Sequence, residues 1–247
     1  MNYVLMTAIG VGGATIIGSI IGFLIKGTSA RSCEPILAFA SGIMLAASVF
    51  TLVVPSVEGS LIVFGKAGVL FTVLGLFAGA LTLTILDKLL SRIEYAPKKE
   101  KNIGSPSILF VIAIAIHNLP EGLAAGVSFG AGSLKDTILI SGSIALQNIP
   151  EGMVLIPPLV DEGYSRPMAF LIAASTGIIE IIGTLVGYLA IGISTAVLPL
   201  ALSFAGGTML YVIADDMIPR THTNSPRCAT YLLLAGFALM VVFDALL

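Results

Sequence analysis

At 247 residues, with 57% hydrophobic and 11% charged residues, no Trp and a mean hydropathy of +1.05, the chain lies far outside the range of soluble globular domains. The formal net charge is −2, and no cluster of basic residues with interleaved aromatics argues for nucleic acid as a partner. The composition predicts an integral membrane protein, with the lipid bilayer as its surroundings.

A spanning helix needs about 20 mostly apolar residues. Eight such stretches follow in order, at about 3–25, 35–55, 65–90, 107–130, 136–160, 167–193, 196–219 and 229–247. They leave almost nothing for a soluble domain, so residues 1–247 read as a single polytopic all-α membrane domain. The first stretch is too long for a signal core and has Lys26 and Arg31 after it, not before it, so it is expected to be a retained helix. Lys26, Arg31, Lys88, Arg92, Lys98, Lys99, Lys101, Arg166, Arg220 and Arg227 follow odd-numbered helices, whereas only Lys66 and Lys135 follow even-numbered ones. Because Lys and Arg collect on the cytoplasmic side, both termini are expected outside, in the cell's inner (plasma) membrane. Cys33 and Cys228 then fall near cytoplasmic helix ends and read as small packing residues. His222, in a short polar loop, reads as solvated.

Between the third and fourth helices, a polar loop at about 91–106, including Tyr95-Ala96-Pro97-Lys98-Lys99-Glu100-Lys101-Asn102-Ile103-Gly104, is the expected linker. Internal similarity divides the chain further. Phe39-Ala40-Ser41-Gly42-Ile43-Met44-Leu45 in helix two is echoed by Phe204-Ala205-Gly206-Gly207-Thr208-Met209-Leu210 in helix seven, with Pro55 and Pro219 after them. These helices run in opposite directions, which predicts inverted repeats, helices 1–3 and 6–8, around a central helix 4/5 pair. Proteins built this way tend to bind substrate near the midplane, at the interface between repeats. Glycines at four-residue spacing, including Gly18 with Gly22, Gly75 with Gly79, and Gly183 with Gly187, predict ordinary close helix packing.

The central pair carries the chemistry. His117-Asn118-Leu119-Pro120-Glu121-Gly122 and Gln147-Asn148-Ile149-Pro150-Glu151-Gly152 lie deep in apolar stretches, where a charged side chain costs about 2.5–3.5 kcal/mol. Residues three or four apart share a helix face. His117, Asn118 and Glu121 therefore project together, as do Gln147, Asn148 and Glu151, and antiparallel helices would offer both sets to one volume. Pro120 and Pro150 free the carbonyls of Ile116 and Leu146. Glu180, within Ile178-Ile179-Glu180-Ile181-Ile182, has no cationic neighbour in sequence and needs a partner in space. Met44 adds a thioether, although for Met44 alone the plainer reading is a gap-filler. Such oxygen, nitrogen and sulfur donors suit a borderline transition ion over magnesium or calcium.

At these residues the chain resembles the ZIP family of divalent-metal transporters, over essentially its whole length. Gln147 in the second block and the short loop between helices three and four resemble the bacterial GufA-like branch. The resemblance implies a two-metal centre. One site would use Met44, His117, Gln147 and Glu151, with Glu121 shared between ions, and the other Asn118, Glu121, Asn148, Glu151 and Glu180. It also implies import toward the cytoplasm by alternating access, helices one, four, five and six moving against two, three, seven and eight. Glu58 would lie near the outer mouth and Asp215 and Asp216 near the release path. Zinc is the first expectation, with iron, cadmium and manganese open. The transported metal is the only ion expected, with no further cofactor, no enzymatic activity, and a homodimer left open. A metal-gated channel or sensor is the alternative, and an intramembrane metallohydrolase the remoter one.

Overall fold

The structure is a computed structural model that describes residues 2–25, 33–94, 106–131, 134–191, 196–222 and 226–246. The described regular elements are all helical: α1 (Asn2–Leu24), α2 (Glu34–Ala47), α3 (Val54–Phe64), α4 (Gly68–Glu94), α5 (Pro106–Val127), α6 (Leu134–Val154), α7 (Ile156–Asp161), α8 (Arg166–Ile191), α9 (Val197–Val212), α10 (Ile218–Thr221) and α11 (Pro226–Leu246). Two π-helical segments join α2 to α3 (Ser48–Val53) and α9 to α10 (Ile213–Met217). Among the described residues six stretches are long and apolar enough to cross a membrane: Asn2–Leu24, Glu34–Leu86, Leu134–Asp161, Arg166–Ile191, Val197–Thr221 and Pro226–Leu246. Large apolar side chains such as Ile62, Phe77, Leu189 and Tyr231 point outward, as a lipid-facing surface requires.

Several boundaries move from their sequence-based positions, each for a local reason. The second helix does not stop near residue 55, because the π segment Ser48–Val53 carries the chain through Pro55 into α3. It continues to Phe64 and turns at Gly65, whose φ of 61° suits only glycine well. The predicted 91–106 loop begins later, since α4 runs on to Glu94; residues 95–105 lie outside the described residues. The fifth predicted helix breaks at Leu155, where Pro157 starts the short α7. The last begins three residues early, at Pro226.

The helices pack in two groups. In one, α1 lies against α6 and α8, and α5 lies against α8. In the other, α2 pairs with α11, α4 with α9, and α3 with both α4 and α9. Contacts of α5 with α9 and of α2 with α6 join the groups, over an apolar core that includes Val11, Met44, Ala124, Ile144, Leu202 and Met209.

Within each group the glycines set the spacing. A Cβ on Gly122 or Gly126 would overlap the carbonyl of Glu180 or Thr184, locking α5 to α8, and Gly152 does the same against Thr15, locking α6 to α1. Gly12 and Gly177 each face the other's carbonyl across α1 and α8. The same device joins α2 to α11 through Gly42 and Gly236, and α4 to α9 through Gly79 and Gly207. Close backbone approach of this kind is how helices associate where lipid offers no hydrophobic drive.

Arg166 closes one end of the first group. Its guanidinium donates to the carbonyls of Gly22 (3.4 Å), Phe23 and Ile25 (2.8 Å), and lies 5.7 Å from the centre of the Phe23 ring. It thus satisfies the exposed carbonyls at the C-terminus of α1 from the first residue of α8.

Candidate metal centre

The polar residues of the two blocks are brought together in the interior of the first helix group. Asn118 and Glu121 on α5, Gln147, Asn148 and Glu151 on α6, and Glu180 on α8 are each no more than 2% exposed. Their helices form around them because Pro120 and Pro150 are carried inside α5 and α6 without breaking either one. His117 also lies on α5, but its side chain is outside the described residues. Met44, on α2, is fully buried in the apolar core between the groups.

Glu180 is the centre of the network. One carboxylate oxygen accepts the Thr15 hydroxyl at 2.6 Å and the Asn118 Nδ2 at 2.5 Å, and the other accepts the Asn148 Nδ2 at 2.5 Å. Asn148 Nδ2 also lies 3.3 Å from the Val11 carbonyl. Glu121 and Glu151 are near enough to repel the Glu180 charge, so three carboxylates share one low-dielectric volume. Among the described residues the groups bonded to Glu180, from Thr15, Asn118 and Asn148, are all neutral.

The opposite ends of the amides are the informative part. Asn118 Oδ1, Asn148 Oδ1 and both Gln147 amide atoms are buried with no hydrogen-bond partner among the described residues. A buried polar atom left so costs about 1–3 kcal/mol. Carboxylates beside amide oxygens without partners among the described residues form an acceptor-rich cluster whose chemistry suits a cation. Among the described residues no group of three or more His, Cys, Asp or Glu could hold a metal ion, so amide oxygens or the imidazole of His117 would have to complete a coordination shell.

The residues read as pathway candidates lie apart from this cluster. Glu58 is exposed on α3. Asp215 and Asp216 fall in the second π segment, with Asp215 exposed and Asp216 paired to Arg220 at 2.6 Å. His222 is not simply solvated, since its Nδ1 lies 3.0 Å from both the Ile218 carbonyl and the Thr221 hydroxyl. Cys33 is buried as expected of a packing residue, whereas Cys228 is exposed, and both are free thiols. Thr15 was missed from sequence, because one hydroxyl in an apolar helix is unremarkable. The available signal was its place on the small, buried face of α1 formed by Ala8, Gly12, Thr15, Gly18, Ser19 and Gly22.

Comparison with known proteins agrees with this chemistry. The family model described as "ZIP Zinc transporter" matches residues 95–244. The chain is 34% identical over 248 residues to the zinc transporter ZIPB of Bordetella bronchiseptica, covering 95% of this chain and 78% of that protein. It is 37% identical over 205 residues to the zinc transporter GufA of Myxococcus xanthus, covering 79% of each. It is 31% identical over 274 residues to the zinc transporter ZupT of Clostridium perfringens, covering 98% of this chain and 96% of that one. These relatives are transporters by name, not enzymes. A family match over more than half of the chain, together with relatives aligned along most of their length, shows that the chain belongs to the ZIP zinc transporter family.

Proposed function

We propose that this protein carries divalent transition metals across the membrane into the cytoplasm, with zinc as the principal cargo and iron, cadmium or manganese admitted by the same donors. The observation that carries the reading is the buried set of carboxylates and partnerless amide oxygens on α5 and α6. Such a set is costly in a resting fold and favourable around a cation that has shed its water. The zinc-transporter names of the relatives support the choice of metal.

In this reading Glu121, Glu151, Gln147, Asn118 and Asn148 hold the ion, with His117 completing the shell and Met44 closing it from α2. The group α1, α5, α6 and α8 carries the ion past the group α2, α3, α4, α9 and α11, and Glu58 and the Asp215-Asp216 pair mark the two ends of the path. The chain crosses the plasma membrane eight times, with both termini outside. Binding has to be strong enough to select and weak enough to release.

Purified protein in liposomes loaded with a metal-sensitive dye tests the proposal. Saturable entry of zinc or cadmium is expected. No metal entry would refute transport, and non-saturating, voltage-driven flux would replace the carrier with a channel.

A further inference from the structure

We infer that Glu180 is a positioning residue that holds the ion-binding amides, not a ligand of the ion, so that the centre takes one metal ion and not two. The inference rests on the transport reading above and sharpens its site. A carboxylate offers about four lone-pair positions. Three are filled at Glu180, by Thr15 at 2.6 Å and by Asn118 and Asn148 at 2.5 Å. These contacts are all short, at 2.5–2.6 Å.

The direction of each amide follows from this. Both asparagines present Nδ2 to Glu180, at 2.5 Å each. Because the amide is planar and its two polar atoms diverge, each Oδ1 is then turned away from Glu180, and both are buried with no hydrogen-bond partner among the described residues. Glu180 therefore aims two neutral oxygen ligands at the ion while three of its own four or so acceptor positions are occupied.

Asn148 is decisive. An Asp there would set a second carboxylate against Glu180, and a shared proton or a second cation would be needed to hold the two together. With Asn the pair is joined by a hydrogen bond, and no second cation is needed. The network also draws one residue from each of α1, α5, α6 and α8, the four helices of the proposed moving group. The ion site and the rigidity of its carrier thus depend on the same carboxylate.

Zinc titration calorimetry of the full-length detergent-solubilised protein, with anomalous scattering at the zinc edge, tests this directly. One midplane ion per chain is expected for the native protein and two for N148D. Two ions in the native protein, with Glu180 in the coordination shell, would overturn the inference alone; no zinc at all would overturn the transport reading with it. In liposomes, T15V should raise the KM for zinc about tenfold at unchanged maximal rate, the scale of one lost bond to a buried charge, and T15S should restore it. An unchanged KM in T15V would also overturn the positioning role.

Discussion

Substituting Gly183→Ala tests the backbone contact that sets the site's geometry. An added Cβ would stand 2.7 Å from the Leu119 carbonyl oxygen and 3.1 Å from both Gly122 Cα and Leu123 N. Ordinary contact begins near 3.4 Å, so α5 must retreat by about 0.7 Å. All three obstacles are backbone atoms, and no rotamer change absorbs the overlap. Overpacking of this kind costs about 1–3 kcal/mol, while Ala regains up to about 1 kcal/mol of helix propensity, for a net loss of ~1–2 kcal/mol. For a chain of this size that is a fall in Tm of about 2–8 °C. Gly13→Ala is the control, since nothing lies within 4 Å of its Cβ position.

The chain has no Trp, but its thiols provide a reporter. Cys33 is buried at 6% exposure and Cys228 is exposed, so in a C228S background a fluorogenic maleimide reads the unfolding of Cys33 alone. Zinc uptake should fall in parallel. Leu119 is flanked by Asn118, and a 0.7 Å retreat takes the 2.5 Å Asn118–Glu180 bond to the 3.2 Å limit of a useful one. Equal Tm for G183A and G13A would refute the close packing of α5 on α8, and the reasoning with it.

Other substitutions separate ligands from scaffold. E151Q and H117A should each lower zinc uptake at least about tenfold with the protein still present in the membrane, as immunoblotting and dye-loaded liposomes would show. R166A removes the donor to the carbonyls of Gly22, Phe23 and Ile25 and should lower stability by about 1–2 kcal/mol, measured by the same thiol assay. R166K should recover only part of this, because an ammonium lacks the planar face that the guanidinium lays over the Phe23 ring. D216N breaks a half-exposed i,i+4 bridge of about 0.3–0.5 kcal/mol and should leave Tm within about 2 °C. Its expected effect is a lower maximal uptake rate, and an unchanged rate would remove Asp216 from the release path.

Much of the helix order and the polar cluster could be read from sequence because both rest on cost. Apolar runs long enough to span are rare by chance, and buried carboxylates at Glu121, Glu151 and Glu180 are expensive enough to mark a site. What could not be read rests on direction. The sequence places Asn118 and Glu180 in separate helices, but only the fold shows Asn118 giving its N–H to Glu180 and keeping its oxygen free. Thr15 was hidden for the same reason, since a hydroxyl can bond its own helix and many here do, as Ser41 and Ser48 show. The break at Leu155 was legible in Pro157-Pro158 but was outweighed by the apolar run around it.

The prolines divide the helices by role. The two echoed segments starting at Phe39 and Phe204 are 165 positions apart, and so are the π segments starting at Ser48 and Ile213. In each, the residue just before the proline bonds five residues back, Val54 N–H to the Val49 carbonyl and Ile218 N–H to the Ile213 carbonyl. A proline ring clashes with the carbonyl four residues earlier, here Thr51 and Asp215, and a widened turn moves that carbonyl aside. A chance likeness of small residues would not reproduce the same backbone defect at the same offset, so the echo reflects a real structural repeat. Pro120 and Pro150 are treated differently: α5 and α6 stay α-helical through them. The acceptors they release, at Ile116 and Leu146, stay in the helix next to His117 and Gln147. Prolines in the α2–α3 and α9–α10 paths are relieved by a change of helix type, whereas those in α5 and α6 leave their cost in place beside the buried polar residues of the two blocks.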